Sequence, residues 1–375
     1  MAEPFKNFFN PGMITQMGEN FSRVNNDFDA KRFIALATKD MEKLELKQRS
    51  NQICEALTST LPTNYRKACE ILTQALHPSV DSGLSEMETD ETGIAFWGVM
   101  PMADYIAEHG LDDFDYSLEV LAAMTKRSSS EFAIRHFFVA DQERTMAKTI
   151  EWAKDENFHV RRLASEGSRP RLPWGVQLKE FVADPSPLLP MLEILKDDSE
   201  EYVRRSVANN INDIAKDHPK VVSTIAATWM KDASKDRARL VKHATRTLVK
   251  NGHKPTLAAL GYSAPKVALE KLTVSTPIVA LGEALEFDIT FTSTAKTTQP
   301  LIIDFIIHHR KANGSTTPKT FKWKVIDLAA GKTLNASKRH PMKPITTRVY
   351  YEGIHSLEIQ INGESYGRED FDFKL

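Results

Sequence analysis

The spacing of apolar residues divides the chain into a helical part and a strand part. Up to about residue 258, apolar side chains recur every three or four positions, as in NYRKACEILTQAL and QERTMAKTIEWAKD. This period predicts short amphipathic helices. Asp, Ser, Pro or Asn separates successive segments, as is typical of helix starts and stops. The first part of the chain is therefore predicted to be all-helical.

Beyond residue 260 the period changes to two. Residues 285–291, 321–325 and 357–361 alternate apolar with polar side chains, which places the apolar members of each segment on one face of a β-strand. Asn-Gly pairs begin at residues 313 and 362, and such pairs are typical of tight hairpin turns. About seven short strands in antiparallel order predict an immunoglobulin-like sandwich.

These two patterns define the predicted domain organisation. We expect an all-α domain of HEAT-like repeats over residues 1–260 and an all-β, immunoglobulin-like sandwich over residues 261–375. The boundary is predicted within 261–266, where the sequence GYSAPK interrupts both patterns.

A repeated sequence within the helical part supports the repeat prediction. The segments HVRRLASEG and YVRRSVANN place Arg162 and Arg205 at matching positions, 43 residues apart, which is a spacing typical of HEAT-type helical pairs. A weaker third copy, KDRARLVKHATRTLVKNG, places Lys242, His243 and Arg246 on the equivalent helix. Since the same helix of every repeat lines one concave surface, these side chains predict a basic stripe there.

The charge distribution supports a polyanionic partner, although the total charge does not. The 375 residues include 49 Lys and Arg against 50 Asp and Glu, for a formal net charge of -1. Residues 1–120 carry a net charge of -10, residues 121–260 carry +6 and residues 261–375 carry +3. Much of the acid lies between Asp81 and Glu119. The near-zero total therefore conceals a basic middle region.

Several classes of protein are excluded by what the sequence lacks. No apolar run approaches the roughly 20 residues that span a bilayer. The two cysteines, Cys54 and Cys69, cannot by themselves form a disulfide framework or a zinc site. The sequence contains no phosphate-binding loop with Gly-Lys-Ser/Thr and no G-x-G-x-x-G after a strand. We therefore expect a cytoplasmic protein with no membrane contact, no metal and no small-molecule cofactor.

The segment around residues 158–175 carries the most distinctive chemistry. It combines four arginines with a single acid, Glu166, and a Pro-Trp pair that ends in Trp174. Arg162 and Glu166 are four positions apart and share a helix face, which is compatible either with a surface ion pair or with phosphodiester contacts beside a carboxylate. Trp174 is compatible either with the core or with stacking on a nucleotide.

At VRRLASEGSRPRLPW, SSEFAIRHFF and VRRSVANNINDIAKDHP, the sequence resembles the AlkC branch of the bacterial AlkC/AlkD DNA glycosylases over roughly residues 4–258. The tail, with IDFIIHHRKANG and YYEGIHSLEIQING, resembles the immunoglobulin-like extension of some AlkC proteins. The resemblance implies monofunctional removal of 3-methyladenine, 3-methylcytosine and related bases from double-stranded DNA. It also implies recognition that need not flip the base, and a monomer is the default for such an array.

Under this interpretation the reaction requires a carboxylate. N3-alkylation makes the base cationic and a good leaving group, so the enzyme must mainly stabilise an oxocarbenium-like sugar and position a water molecule. The candidate catalytic acids are Glu166, Asp213 and Glu131. AlkD-type relatives place tryptophans beside the catalytic acid, and Asn209 occupies one such position here. An aromatic cradle is therefore expected to be reduced or to come from Trp174.

The residues expected to bind DNA are basic, amide or aromatic side chains of the repeat region. They are Arg135, Arg161, Arg162, Arg169, Arg171, Trp174, Arg204, Arg205, Asn209, Asn212, Lys216, His218, Lys242, His243 and Arg246. The sandwich is expected either to add DNA contacts or to act as a stabilising or partner-docking module. A non-catalytic HEAT-repeat scaffold that binds protein or damaged DNA remains the alternative function.

Overall fold

The computed structural model describes residues 4–79, residue 83 and residues 87–375. Part of the acidic segment that begins at Asp81 therefore lies outside the described residues. The chain forms two compact units, one ending at Asp217 and the other extending from His218 to Leu375. Among the described residues, no helix has both the length and the apolar character needed to cross a bilayer.

The first unit is built of α-helices, as the helical period predicts. Asp141 and Asn157 cap two of them, because each side chain accepts a hydrogen bond from a backbone N–H of the first turn. The helices are α1 (Pro11–Val24), α2 (Ala30–Thr38), α3 (Leu46–Thr60), α4 (Tyr65–Gln74), α5 (Val99–His109), α6 (Phe114–Thr125), α7 (Ile134–Ala140), α8 (Gln142–Trp152), α9 (Phe158–Gly167), α10 (Lys179–Ala183), α11 (Leu189–Leu195) and α12 (Glu201–Ile214).

The helices pack in pairs, which confirms the HEAT-like repeat. Helix α8 packs on α9 and α11 packs on α12, while α9 and α12 lie side by side between successive pairs. Gly167 permits close packing at the end of α9, because a Cβ atom there would lie 2.6 Å from Cγ2 of Ile134. The two Val-Arg-Arg segments thus lie on neighbouring helices.

The repeat extends to individual hydrogen bonds. Nη1 of Arg161 donates to the carbonyl oxygens six and five positions earlier, at 3.0 and 2.8 Å. Nη1 of Arg204 donates to the two corresponding carbonyls of its own repeat, at 2.5 and 2.8 Å. The first arginine of each Val-Arg-Arg segment therefore ties its helix to the preceding turn. The second arginine of each segment, Arg162 or Arg205, does not form these backbone hydrogen bonds.

The second unit combines four helices with a sandwich. Its sheets have the strand orders β1-β3-β6 and β2-β8-β7-β4-β5, and all pairs are antiparallel except β2 with β8. This confirms the predicted immunoglobulin-like fold, with eight strands. The elements are α13 (Pro219–Trp229), α14 (Lys235–Ala244), α15 (Arg246–Lys250), α16 (Lys254–Ala259), β1 (Val267–Val274), β2 (Ile278–Ala280), β3 (Ala284–Ser293), β4 (Gln299–Arg310), β5 (Thr316–Leu328), β6 (Thr333–Pro341), β7 (Gly353–Ile361) and β8 (Glu364–Lys374).

Two sequence signals of the sandwich are confirmed. The alternating apolar residues of β3 are buried in the core between the sheets. Asn362 and Gly363 form the tight turn between β7 and β8, with φ values of +45° and +79°, as hairpin turns of this kind require. Gly363 also approaches the loop before α16 so closely that a Cβ atom there would lie 2.6 Å from Cα of Gly252.

The alternation predicted for β5 fails at one position. The register shifts between Ile303 and Asp304 on β4, so a β-bulge reverses which face the next residues of β5 occupy. Val325 pairs with Ile302 and is half exposed. Ile326 instead packs against the sandwich core. The apolar pattern alone could not show this change, because the bulge adds one residue to one strand only.

We predict that acid destabilises the sandwich through buried histidines. Burial, together with nearby Arg348, lowers the pKa of His309 to about 3, and burial beside Lys338 lowers the pKa of His340 to about 4. The unfolded chain takes up protons near pH 6.5 whereas the folded sandwich does not, so the free energy of unfolding should fall as the pH drops from about 7 to about 4. Thermal unfolding of the full chain across this range measures the effect. His309→Phe should flatten the pH dependence, and a melting temperature that is constant over this range would contradict the prediction.

Candidate functional site

Helices α9 and α12 bring two of the three candidate acids to one arginine. Nη1 of Arg169 donates to Oε1 of Glu166 at 2.6 Å, and its Nε donates to Oδ2 of Asp213 at 2.9 Å. All three side chains are buried. A guanidinium between two carboxylates fixes the distance between them. It also compensates their negative charge in a buried position that water does not solvate. Arg169, which was predicted to bind DNA, is therefore occupied within the protein.

The third candidate acid joins the same group through Arg162. Nη1 of Arg162 donates to the Glu131 carboxylate and to Oγ of Ser129, and its Nη2 lies 3.6 Å from Oε1 of Glu166. The guanidinium also lies over the ring of Tyr202, 5.0 Å from its centroid. Arg162 and Glu166 do not form the exposed ion pair that spacing alone allows, because both are largely covered.

We call this group the carboxylate network: Glu131, Glu166, Asp213, Arg162 and Arg169. Lys216 extends it with an ion pair to Oδ1 of Asp213 at 3.1 Å. Three acids therefore meet three basic side chains, and the group as a whole is close to neutral.

Electrostatics keep Glu166 ionised. Burial alone would raise the pKa of this carboxyl. Arg162 and Arg169, together with hydrogen bonds from Ser206 and Arg169, outweigh burial and hold the pKa below its ordinary value. Glu131 and Glu166 in turn raise the pKa of Arg162, against the effect of burial. Glu166 is thus suited to provide a fixed negative charge rather than a proton.

The three acids differ in how much of each carboxylate remains available. Both oxygens of Glu166 are hydrogen-bonded, one by Arg169 and the other by Ser206 at 2.7 Å. Both oxygens of Asp213 are also engaged. Glu131 accepts through Oε2 only, so among the described residues its Oε1 has no hydrogen-bond partner, and its side chain is 15% exposed. Glu131 is therefore the acid whose free oxygen can meet a group from outside.

Trp174 lies on the loop that leaves α9, and it is held in an unusual conformation. Its φ is +66°, in the left-handed region that a bulky residue rarely adopts. The side chain is 64% exposed, and Nζ of Lys47 donates to its backbone oxygen. A tryptophan that is exposed on a restrained backbone is not a core residue, so the core interpretation of Trp174 is wrong, and stacking on a nucleotide stays a prediction.

Arg135 restrains the same loop from inside, which corrects the expectation that it binds DNA. Its guanidinium donates to the carbonyl oxygens of Gly167, Arg169 and Val176 at 2.9, 2.8 and 2.5 Å. The residue is 0% exposed, so a phosphate outside the protein cannot reach it. Burial next to Arg169 lowers its pKa to about 10. Arg135 supports the loop rather than a ligand.

The other arginines that were predicted to bind DNA differ in whether they are already bound within the protein. Arg161 forms two hydrogen bonds to the Asp198 carboxylate at 2.6 and 3.0 Å, and Arg171 forms two to Asp217 at 3.0 Å each. Arg204 is held by the repeat carbonyls described above. Arg205 is exposed, and within the described part of the chain its side chain has no hydrogen bond or ion pair.

Side chains four residues apart along α12 pass from the surface of the protein to its interior. Arg205 is exposed, Asn209 is half-buried and Asp213 is buried. At about 100° per residue, each four-residue step rotates the side chain by about 40°, so eight residues carry it about 80° around the helix. Asn212 is also buried, and this burial corrects its expected contact with DNA.

The remaining predicted residues belong to the second unit. His218 precedes α13, Lys242 and His243 lie in the last turn of α14, and Arg246 begins α15. Lys242 is exposed, whereas Nη1 of Arg246 donates to the backbone oxygen of His243 at 2.8 Å.

Several residues of the site were missed from the sequence. Tyr202 and Ser206 precede and follow the second Val-Arg-Arg segment, so the repeat itself places them opposite α9 and could have indicated them. Ser129 lies two positions before Glu131. Lys47 is 127 residues from Trp174, and no local pattern connects the two.

Comparison with known proteins shows which family and fold this chain shares. The family described as "DNA alkylation repair enzyme" matches residues 125–255, and the family described as "Uncharacterised protein YhaZ, C-terminal Ig-like domain" matches residues 268–375. The chain is 38% identical to the uncharacterized protein YhaZ of Bacillus subtilis (strain 168) over 98% of both chains. It also matches the solved structure of the alkylpurine DNA glycosylase AlkC of Pseudomonas fluorescens, bound to DNA containing an abasic site analog. In that comparison the identity is 35%, the TM-score is 0.89 and all of each chain is covered.

Proposed function

Because this chain belongs to the AlkC-like family of DNA alkylation repair enzymes with a C-terminal immunoglobulin-like domain, we propose that it is a DNA glycosylase. It hydrolyses the N-glycosidic bond of cationic N-alkylated bases, of which 3-methyladenine and 3-methylcytosine are the type substrates. The reaction is monofunctional and leaves an abasic site in double-stranded DNA. Residues 1–260 form the glycosylase domain and residues 261–375 the appended domain.

The carboxylate network is the observation that carries this proposal. Departure of a cationic base leaves positive charge on the sugar, and a fixed negative charge beside the sugar stabilises that charge as it develops. A preorganised carboxylate needs no reorganisation during the reaction. No cofactor is required, because the alkylated base is already a good leaving group.

Within the network we assign different tasks to the acids. Glu131 presents its free oxygen to the sugar and to the attacking water. Glu166 and Asp213 are held by Arg169 and supply fixed negative charge behind it. When a DNA phosphate pairs with the exposed Lys216, it offsets the charge of that lysine. The three acids and two arginines of the network then carry a net negative charge, which favours an oxocarbenium-like transition state.

Trp174 and exposed basic residues provide the contacts with DNA in this proposal. An indole fixed by its backbone can stack against a base or wedge between bases next to the damage. In the first unit, Arg205 and Lys216 are the exposed cations of α12 and its C-terminal end, and they are suited to phosphates. In the second unit, Lys242 has the same exposure and the same potential role.

The deciding experiment measures base release from DNA methylated at N3 of adenine or cytosine. The wild-type chain should release free methylated base and leave an abasic strand that alkali, but not the protein, cleaves. A chain that binds methylated DNA and releases no base would instead be a non-catalytic scaffold. Unmethylated DNA of the same sequence is the control substrate.

Arg205→Ala should weaken DNA binding without changing the reaction itself. Since this arginine is exposed and without an internal partner, its loss should leave the fold intact and lower the affinity for methylated and unmethylated duplexes alike. The slope of log affinity against log salt concentration should decrease in magnitude by about one. Titrations at several salt concentrations measure this. Arg144→Ala, which removes an exposed cation of α8, is the matched control. An unchanged slope for Arg205→Ala would remove this residue from the DNA surface.

A further inference from the structure

A cavity lies in the second unit, between α14, α15 and the outer face of strands β4 and β5. Its volume is about 240 Å³, and α15 packs on β5 at this place. Apolar and aromatic side chains form part of its wall: Val249, Leu260, Tyr262, Ile302 and Val325. The bulge in β5 creates this wall, because it turns Val325 to the same face as Ile302.

The same bulge places a carboxylate in the wall. Asp304 lies on a central strand and is only 4% exposed. The backbone N–H of Trp323, the bulge residue, faces this carboxylate and favours its charged form. Oδ1 of Asp304 is buried and has no hydrogen-bond partner among the described residues. Burial raises the pKa of Asp304 to about 6 although Lys322 and Lys250 oppose the rise, so the group is an acceptor at neutral pH.

Four cations surround this single acid. Lys242, Arg246, Lys250 and Lys322 all line the cavity. The three lysines are exposed at its mouth, and in the part of the chain that the structure describes none of them has an ion pair. One buried carboxylate cannot balance four positive charges, so the mouth of the cavity attracts an anion.

From the cavity, the lysines and the Asp304 carboxylate we infer a binding site for a mononucleotide. The phosphate binds to Lys250 and Lys322, where charge-assisted hydrogen bonds form at the rim. The base lies against the apolar wall beside Tyr262. An N–H of the base donates to Asp304. This site is separate from the carboxylate network and does not depend on the proposed glycosylase activity.

The carboxylate predicts which base is preferred. A carboxylate accepts hydrogen bonds and cannot donate them. Guanine presents adjacent N–H groups on its Watson–Crick edge, whereas adenine and cytosine place an acceptor nitrogen next to their amino group, and thymine places a carbonyl on each side of its N–H. Guanine is therefore the base that meets Asp304 without repulsion, and dGMP is the expected ligand.

Calorimetric titration of the full chain with dGMP tests the site, with dAMP and inorganic phosphate as the comparison ligands. dGMP should bind more tightly than either. Lys250→Ala and Lys322→Ala should each weaken dGMP binding about tenfold, whereas Lys332→Ala, at an exposed lysine in the β5–β6 turn, should not. Asp304→Val should bring dGMP affinity down to that of dAMP, and an unchanged melting temperature confirms that this variant is folded.

Three outcomes would overturn the inference. Equal affinity for phosphate and dGMP would show an anion site without base recognition. Unchanged dGMP binding in both lysine variants would place the ligand elsewhere. If the lysine variants lose affinity only for a DNA duplex and the wild type does not bind dGMP, the lysines belong to the DNA surface. Base release is measured separately, so its failure would leave this test unaffected.

Discussion

Glu131→Gln is expected to reduce base release by a factor of about 10²–10³ while leaving DNA affinity nearly unchanged. The substitution keeps the size of the side chain and removes its charge. Glutamine still accepts a hydrogen bond from Arg162 or Ser129, so the loop before α7 should keep its position. The sugar, however, loses the negative charge that stabilises the transition state. Single-turnover release of methylated base, together with a binding titration, separates the two effects.

The choice of Glu131 depends on its unoccupied oxygen, and a comparison of variants tests that dependence. Glu143→Gln, at an exposed acid in the first turn of α8, should release base at the wild-type rate. Glu166→Gln should be impaired as well, since it removes fixed charge next to two arginines. If Glu166→Gln is inactive while Glu131→Gln keeps full activity, then Glu131 is not the catalytic acid and Glu166 has that role.

Arg169→Ala is expected to lower the free energy of unfolding by about 3–5 kcal/mol. The substitution leaves Glu166 and Asp213 buried without the guanidinium that lies between them, and it removes base release as well. Urea unfolding of wild type and variant measures the difference. The deficit should shrink as the pH falls, because loss of Arg169 raises the pKa of Glu166 in the folded state and protonation then removes a buried charge.

Two further variants show whether the loss of stability in Arg169→Ala arises because Arg169 bridges two buried carboxylates. Arg144→Ala breaks an ion pair with Asp115 that is largely exposed, and such pairs contribute at most about 1 kcal/mol. Arg169→Lys keeps one charge but cannot bond both acids at once, so its stability should lie between those of wild type and Arg169→Ala. A deficit for Arg169→Ala no larger than that of Arg144→Ala would contradict the bridging role.

Local periodicity predicted most of the fold. The change of period near residue 260 separates helices from strands, and the Val-Arg-Arg repeat identifies α9 and α12 as neighbours. The β5 bulge was not predictable, because an added residue on one strand shows only when its partner strand is known. For the same reason the outward position of Val325, and with it the cavity wall, could not be read from the sequence.

The members of the carboxylate network could be identified from the sequence, whereas their arrangement could be predicted less well. The three acids were identified from their basic surroundings and from family resemblance, and the structure brings them together through Arg162 and Arg169. The sequence did not show which side chains face inward. The residues around Arg135 are also compatible with an exposed arginine. Only its hydrogen bonds to three carbonyl oxygens from another part of the chain show that it is buried.

The contact between Gly252 and Gly363 bears on how this protein can be divided for study. The composition of the chain changes at Gly261, which would be the natural place to cut. Yet the turn that contains Gly363 packs backbone to backbone against the loop before α16, and Lys254 forms an ion pair with Glu364 at 2.9 Å. A fragment designed to contain the sandwich without the first unit should therefore begin near His218, so that it retains α13 to α16.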